Sequence, residues 1–497
     1  MRRVWMIVIA AALVTGSLLV SAALSREPLA ALVPGEPLVA VVAPDLPALA
    51  AHVRQLPAAE AYLQSRAHDA YQDSKLGLKL ADRAKRLSKV AGMDLTLATL
   101  LQHAGSETVL AIYDIGELSF LLLVRMSPAE QAKLAFVERQ ADFTERVYEG
   151  RTYRAKIDLD ADLAFVFYQQ DDLLMVANRV DLIEQALQAQ AKPTSLPRLV
   201  DAERYRKLLA MQPAAGEADA LLWLDMAALR DDRYFRSYWA WRNFDELQPL
   251  AAALVGFDCD GKAMHEHRAL LGAVPQAPAA GPAYDGPGMV SYVAVDGDVE
   301  KTLGAHLGWP LTGAGLADST AARVLVAEPY REAETGMVRL RLGAVVAVPD
   351  VQPAALLQQA ADHTRRAMPH LPASFAPQND NGVTSLRLAP ELAGAYAARR
   401  DGLLFLANDR ALLDRLRNAT KPGGATMRET LRVDGEAANL LAEYLRQAGQ
   451  MNAAQGVGAT FTVETLPLLL EAVGRFDRMN AATQAHADGW LQETTWR

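Results

Sequence analysis

The stretch "DDLLMVANRVDLIEQAL", Asp171–Leu187, returns as "DGLLFLANDRALLDRLR", Asp401–Arg417. Both read as an apolar strand closing on Ala-Asn and running straight into an amphipathic helix. Their spacing is 401 − 171 = 230. Two further matches follow in the same order. "LLWLDMAAL" against "TLRVDGEAANLL" places Asp225 with Asp434, a spacing of 209, and "LQPLAAALVGFD" against "LPLLLEAVGRFD" places Gly256 with Gly474, a spacing of 218. A looser fourth pair is "LVAVVAPDLPALAAHV" with "MVSYVAVDGDVEKTLGAHL". Internal repeats at this scale predict two tandem domains of one fold.

Strands mostly adjoin strands without helical crossovers, as in "ETVLAIYD" and "LSFLLLVRM". That predicts an α+β fold, each copy a mainly antiparallel sheet covered by helices. The expected boundaries are 33–271 for the first copy and 289–497 for the second, with the Pro/Gly/Ala-rich stretch Gly272–Gly288 as linker. Asn178 and Asn408 fall where a helix N-cap is needed, and so do Asp225 and Asp434. Capping accounts for these matched polar residues without catalysis.

The N-terminus, "MRRVWMIVIAAALVTGSLLVSAALSRE", carries no charge from Val4 to Leu24. At 1.5 Å per residue such a run crosses a bilayer core of about 30 Å. Arg2 and Arg3 precede it, which predicts a single-pass helix with a cytoplasmic N-terminus and a body in the periplasm of a bacterial cell, tethered to the inner membrane. A cleaved signal peptide within 1–32 is the rival reading, with Ser21 and Ala23 as its small residues.

Composition bounds the rest. The 497 residues are 51% hydrophobic and 22% charged, which is globular. The formal net charge of −9 argues against nucleic acid as a partner. Cys259 is the sole cysteine, so the fold rests on its core without a disulfide. No nucleophile elbow, zinc-protease helix, phosphate loop or paired-cysteine motif occurs, and no cofactor is implied.

Two stretches are candidates for binding. In "FDCDGKAMHEHR", a turn at Asp260–Gly261 would set His265 and His267 on the same side of a hairpin as Asp258. Those are possible zinc ligands, though a solvated strand face explains them as well. In "DDRYFRSYWAWRNF", Asp231–Phe244, helical spacing puts Tyr234, Tyr238 and Trp241 with Phe235 and Trp239 on one arc, and Arg242 within it. The prediction is one helix over 231–244 with Tyr234, Tyr238 and Trp241 mainly buried against the first domain or at its junction with the second; the alternative is a partner-binding surface of Tyr234, Tyr238, Trp239, Trp241 and Arg242.

The doubled "LLMVAN" and "LLFLAN" phrases behind an N-terminal apolar segment resemble an uncharacterised family of bacterial envelope proteins, a domain of unknown function. The resemblance implies location and architecture and supplies no catalytic residues. Three functions stay open from the sequence. One is a non-enzymatic module that binds or scaffolds another envelope protein. The second is a hydrolase or metal-dependent enzyme with dispersed residues, and the third a small-ligand or lipid carrier.

Overall fold

The structure is a computed structural model that describes residues 27–497 apart from 57–58, 61–62, 66–67, 70–71, 74, 95–104, 159–162, 213–217, 239–248, 261, 273–280, 294–298, 310, 312–322, 349–350, 371–374, 388–393, 426–428, 455–465 and 487–488. The expected membrane segment therefore lies outside the described residues. Among those described, no helix is long and apolar enough to cross a membrane. The chain forms two compact units, Met1–Val274 with His486–Glu493, and Pro275–Ala485 with Thr494–Arg497.

In the first unit the repeated phrase becomes β7, Leu173–Ala177. Every residue of β7 is buried, because both faces of the sheet are covered. Leu173, Met175 and Ala177 point into one apolar cluster with Leu182, Ile183, Ala186 and Leu187 of the following helix. Leu174 and Val176 point into another with Phe136, Phe165 and Phe167. A strand buried on both sides reads as a continuous apolar run. The second unit repeats this at β18, Leu403–Ala407. Leu403, Phe405 and Ala407 join Leu412, Leu413 and Leu416 on one face, while Leu404 and Leu406 join Leu356, Leu357 and Ala361 on the other.

The other strands of the first unit are β1 Val39–Ala43, β2 Thr108–Asp114, β3 Ser119–Arg125, β4 Thr144–Tyr148, β5 Arg151–Asp158, β6 Leu163–Gln170, β8 Ala220–Leu224, β9 Leu250–Cys259 and β10 Met264–Gly272. They pair antiparallel in the order β10-β9-β8-β1-β2-β3-β7-β6-β5-β4. The second unit holds β12 Met289–Val293, β13 Arg323–Arg331, β14 Val338–Ala347, β15 Gln378–Asp380, β16 Val383–Leu386, β17 Ala395–Arg400, β20 Glu429–Asp434 and β21 Arg478–His486. Their order is β21-β20-β12-β13-β14-β18-β17-β16-β15. From β9 to β4 and from β21 to β15 the two orders coincide, nine strands in each. Backbone bonds of 3.1 and 2.9 Å between Arg478 and Arg497 add the end of β22, Gly489–Trp496, beside β21.

Local turn chemistry repeats too. Two-residue loops join β4 to β5 at Glu149–Gly150 and β15 to β16 at Asn381–Gly382, with positive φ at all four residues. That is the hairpin turn whose twist matches its strands. Loops at Asp171–Asp172 and Asp401–Gly402 join β6 to β7 and β17 to β18, and Asp171 and Asp401 both have φ of 52°.

Three expectations need correction. Asn178 and Asn408 are not helix caps: the helices Val180–Ala191 and Arg410–Ala419 start from Arg179 and Asp409. The Asn178 Oδ1 accepts from Phe120 N at 2.8 Å and its Nδ2 donates to Leu118 O at 3.1 Å. Asn408 makes the same pair with Leu342 N and Leu340 O, at 2.7 and 3.1 Å. Each amide continues the strand ladder where its own backbone leaves for the helix.

Secondly, Gly256 and Gly474 are not equivalent. Gly256 lies within β9, whereas Gly474 follows the helix Leu466–Val473, its N–H donating to Leu470 O at 2.8 Å. By strand order the counterpart of β9 is β21. Lastly, the expected linker contains β11, Gly281–Tyr284, which pairs with β19, Thr420–Ala425, and buries Tyr284 in the second unit's core.

Removing either asparagine amide leaves a backbone N–H and a carbonyl short of a partner, a cost of about 1–3 kcal/mol. Asn178→Ala and Asn408→Ala are each expected to lower stability by that amount in chemical denaturation, while an Ala substitution at exposed Arg179 is expected to change it by less than about 0.5 kcal/mol.

Candidate functional site

The aromatic stretch of the first unit begins behind β8. Asp225 follows that strand and caps the helix α1, Met226–Asp231, its Oδ1 accepting from Ala228 N at 3.0 Å. Arg204 grips the same carboxylate with two nitrogens, at 3.0 and 2.7 Å, and reaches Glu36 at 2.7 Å. A buried carboxylate tied by a helix N-terminus and a two-pronged guanidinium is a structural clasp. Its counterpart Asp434 accepts from Gly288 N at 3.1 Å and from Arg478 Nε at 2.8 Å.

The expected helix over 231–244 starts two residues late, at Arg233, and is helical as far as it is described, to Tyr238. Asp232 ends α1 and starts α2, Arg233–Tyr238, because its Oδ1 accepts from both Tyr234 N at 2.8 Å and Phe235 N at 2.7 Å. Aspartate takes this role because its short side chain competes for backbone N–H groups. With the spacing of 209, Asp232 corresponds to Leu441, which lies inside the unbroken helix Gly435–Ala454.

Phe235 is buried and Tyr234 is partly covered. Its ring lies against Gly116 in the β2–β3 turn, where a Cβ would collide with it. Two cations flank the ring. Lys79 Nζ stands 4.3 Å from the centroid and donates to Ile115 O at 3.1 Å; the Arg233 guanidinium carbon stands 4.7 Å away, its Nη2 donating to the Tyr234 hydroxyl at 3.0 Å. Cations over a half-exposed ring form a corner able to take a carboxylate or an aromatic face from a partner. The Tyr238 side chain and residues Trp239, Trp241 and Arg242 lie outside the described residues.

The β9–β10 hairpin forms as expected, and Asp260 closes it by accepting from Lys262 N and Ala263 N at 2.8 and 2.7 Å. It does not gather a metal site. His265 sits opposite Asp258 and His267 opposite Gly256. Among the described residues, no three His, Cys, Asp or Glu side chains could hold a metal ion together. His267 Nδ1 comes within 4.0 Å of Glu493. The histidines are half-buried, because their face continues inward as Ala252, Leu254, Ala269 and Leu271 of the core.

The opposite face carries polar groups that strand alternation alone does not reveal. Glu266 is fully buried and accepts from Arg268 Nε at 3.0 Å, and Arg268 Nη1 donates to Gln492 at 2.6 Å. Asp219 Oδ2 accepts from Cys259 N at 2.9 Å and lies 3.0 Å from His52 Nδ1. Burial, reinforced by nearby carboxylates led by Asp219, pushes the Cys259 thiol up to about 12. A thiol kept protonated is a poor nucleophile.

Two outcomes follow. In the folded chain Cys259 should resist alkylation at about pH 8 and label fully once denatured. Phe235→Ala should cost about 3–5 kcal/mol as a core cavity, whereas Tyr234→Ala should cost under about 1 kcal/mol, both read by thermal unfolding.

No family model matches the chain, and none of the curated proteins matches it. Among solved structures it is similar to TP0453. Crystal form I has a TM-score of 0.25 at 11% identity, covering 50% of this chain and 80% of that one. Form IV has 0.27 at 15%, covering 50% and 81%, and form III 0.27 at 11%, covering 57% and 88%.

Proposed function

We propose that the chain is a membrane-tethered, periplasmic binding module, built from two copies of one α+β fold, that contacts another envelope protein through the corner at Tyr234. The observation that carries the contact is the helix break at Asp232. Asp232 caps α2 and sets Tyr234 between Lys79 and Arg233 in the first unit, while Leu441 lies inside a continuous helix in the second. A half-exposed tyrosine beside guanidinium and ammonium groups has the composition of a binding hot spot. Duplication is supported by the coincident strand orders and by the twin asparagine clasps. The tether is supported by the uncharged run Val4–Leu24 behind two arginines. Among the described residues the metal-enzyme alternative has no gathered ligand set in its favour.

A photo-crosslinking amino acid at position 234, introduced into the full chain in whole cells, is expected to capture one envelope protein. The same group at Met337, which is exposed in the second unit, is expected to capture none. Equal capture at both positions, or none at 234, overturns the contact. A C-terminal reporter that is active only in the cytoplasm overturns the topology.

A further inference from the structure

The helix Lys75–Ala91, "KLGLKLADRAKRLSKVA", is out of keeping with the rest of the chain. It holds six basic residues and one acidic one, a local charge of +5 in a protein whose formal net charge is −9. At 100° per residue, Gly77, Leu87, Val90 and Ala91 share the buried side. There Leu87, Val90 and Ala91 pack with Phe136, Phe165 and Phe167. The opposite arc of about 140° carries Leu78, Ala81, Asp82, Lys85, Arg86 and Lys89, all exposed.

This arc repels itself. Lys85 and Lys89 are like charges at i,i+4, an arrangement that destabilises a helix. Asp82, the one carboxylate on the helix, is taken by Arg86 at 2.9 Å. Other exposed helices balance their cations a turn away: Lys207 meets Glu203 at 2.9 Å, Arg410 meets Asp414 at 3.1 Å and Arg365 meets Asp362 at 3.4 Å. The apolar side of Lys75–Ala91 is already used by the protein's own core. An external counter-surface would therefore meet it through charge and not by insertion.

With the uncharged run spanning a membrane as proposed above, the chain enters the first unit close to it, through residues that pack on the other face of β7 from Lys75–Ala91. Glu27 is fixed to the first unit at both ends of the residue: its carbonyl accepts from Arg125 Nη2 at 2.9 Å and its carboxylate from Arg198 at 2.8 Å. Leu29, two residues on, is fully buried. Only Ser25 and Arg26 separate Glu27 from the end of the uncharged run at Leu24, so three residue steps span at most about 10 Å. We infer that the first unit rests on the membrane, with the exposed face of Lys75–Ala91 held against anionic phospholipid headgroups. The inference rests on the tether proposed above for its proximity, and on the helix's own charge for its chemistry.

Cys259 is buried, so an Ala81→Cys substitution in the full chain provides one reactive thiol for a fluorescent label. The labelled chain is reconstituted into vesicles of phosphatidylcholine alone or mixed with phosphatidylglycerol, each carrying a headgroup spin-label quencher. Quenching should be at least about twofold stronger in the anionic vesicles, and at about 0.5 M salt most of that excess should disappear. Lys85→Glu, Arg86→Glu and Lys89→Glu together should abolish it, with circular dichroism confirming an intact fold. Equal quenching in both vesicles, or an excess that survives the three substitutions, overturns the headgroup contact. Flotation separates the two readings: a chain that floats with both vesicle types but quenches equally keeps its tether and loses this contact. One that floats with anionic vesicles alone keeps the contact and loses the tether.

Discussion

Burial of β7 and β18 on both faces is the constraint from which the rest of each unit follows. A five-residue strand with every side chain covered needs helices above and below it. The chain supplies them as Val180–Ala191 and Lys75–Ala91 in the first unit, and as Arg410–Ala419 and Pro353–Ala367 in the second. Each large apolar side chain so enclosed stabilises the fold by roughly 1.5–3 kcal/mol. Such a strand cannot be shifted by one residue without exchanging Met175 for Leu174, or Phe405 for Leu404, between differently shaped halves of the core. The asparagine that follows fixes the exit, because its amide completes the ladder of β3 or β14 and releases the main chain into the helix.

That pairing of strand and helix was the most legible part of the sequence, and it held at a constant spacing of 230. Identity and geometry are linked there: an apolar run, then Asn, then an amphipathic helix leave little freedom. The match of Gly256 to Gly474 failed because it rested on a few similar letters. In "LPLLLEAV" a proline stands near the start of a run of good helix formers, whereas "LAAALVGFDC" runs through a sheet between β8 and β10. Tertiary pairing decides such segments, and composition does not show it. The clasp role of Asn178 was hidden for a related reason. Its partners Leu118 and Phe120 lie about sixty positions away in sequence.

The candidate sites were legible as residue types and not as geometry. Histidines two apart with an aspartate on the facing strand satisfy a zinc pattern on paper, but among the described residues they gather no set of three ligating side chains. In the aromatic stretch the periodicity was sound for Phe235, which is buried. Asp232 is read by a periodicity argument as one more polar residue, while in space its carboxylate closes one helix and opens another.

The two units show how one scaffold diverges without loss of its frame. What they share is placed where the backbone is most constrained: the double-sided strands, the two-residue hairpins and the asparagine clasps. What they do not share lies on helices that cover the sheets, where a substitution changes an exposed face and leaves the ladder untouched. The change from Leu441 to Asp232 at corresponding positions is of this kind, and so is the crowding of lysine and arginine on the outer arc of Lys75–Ala91. A leucine inside a helix adds apolar contact to the core beneath it. An aspartate there gives up that contact, and its carboxylate ends one helix and caps the next. The self-repelling arc likewise gives up local stability that mixed charges would have supplied. Both departures weaken the first unit taken alone, and both sit on surfaces able to meet something outside it.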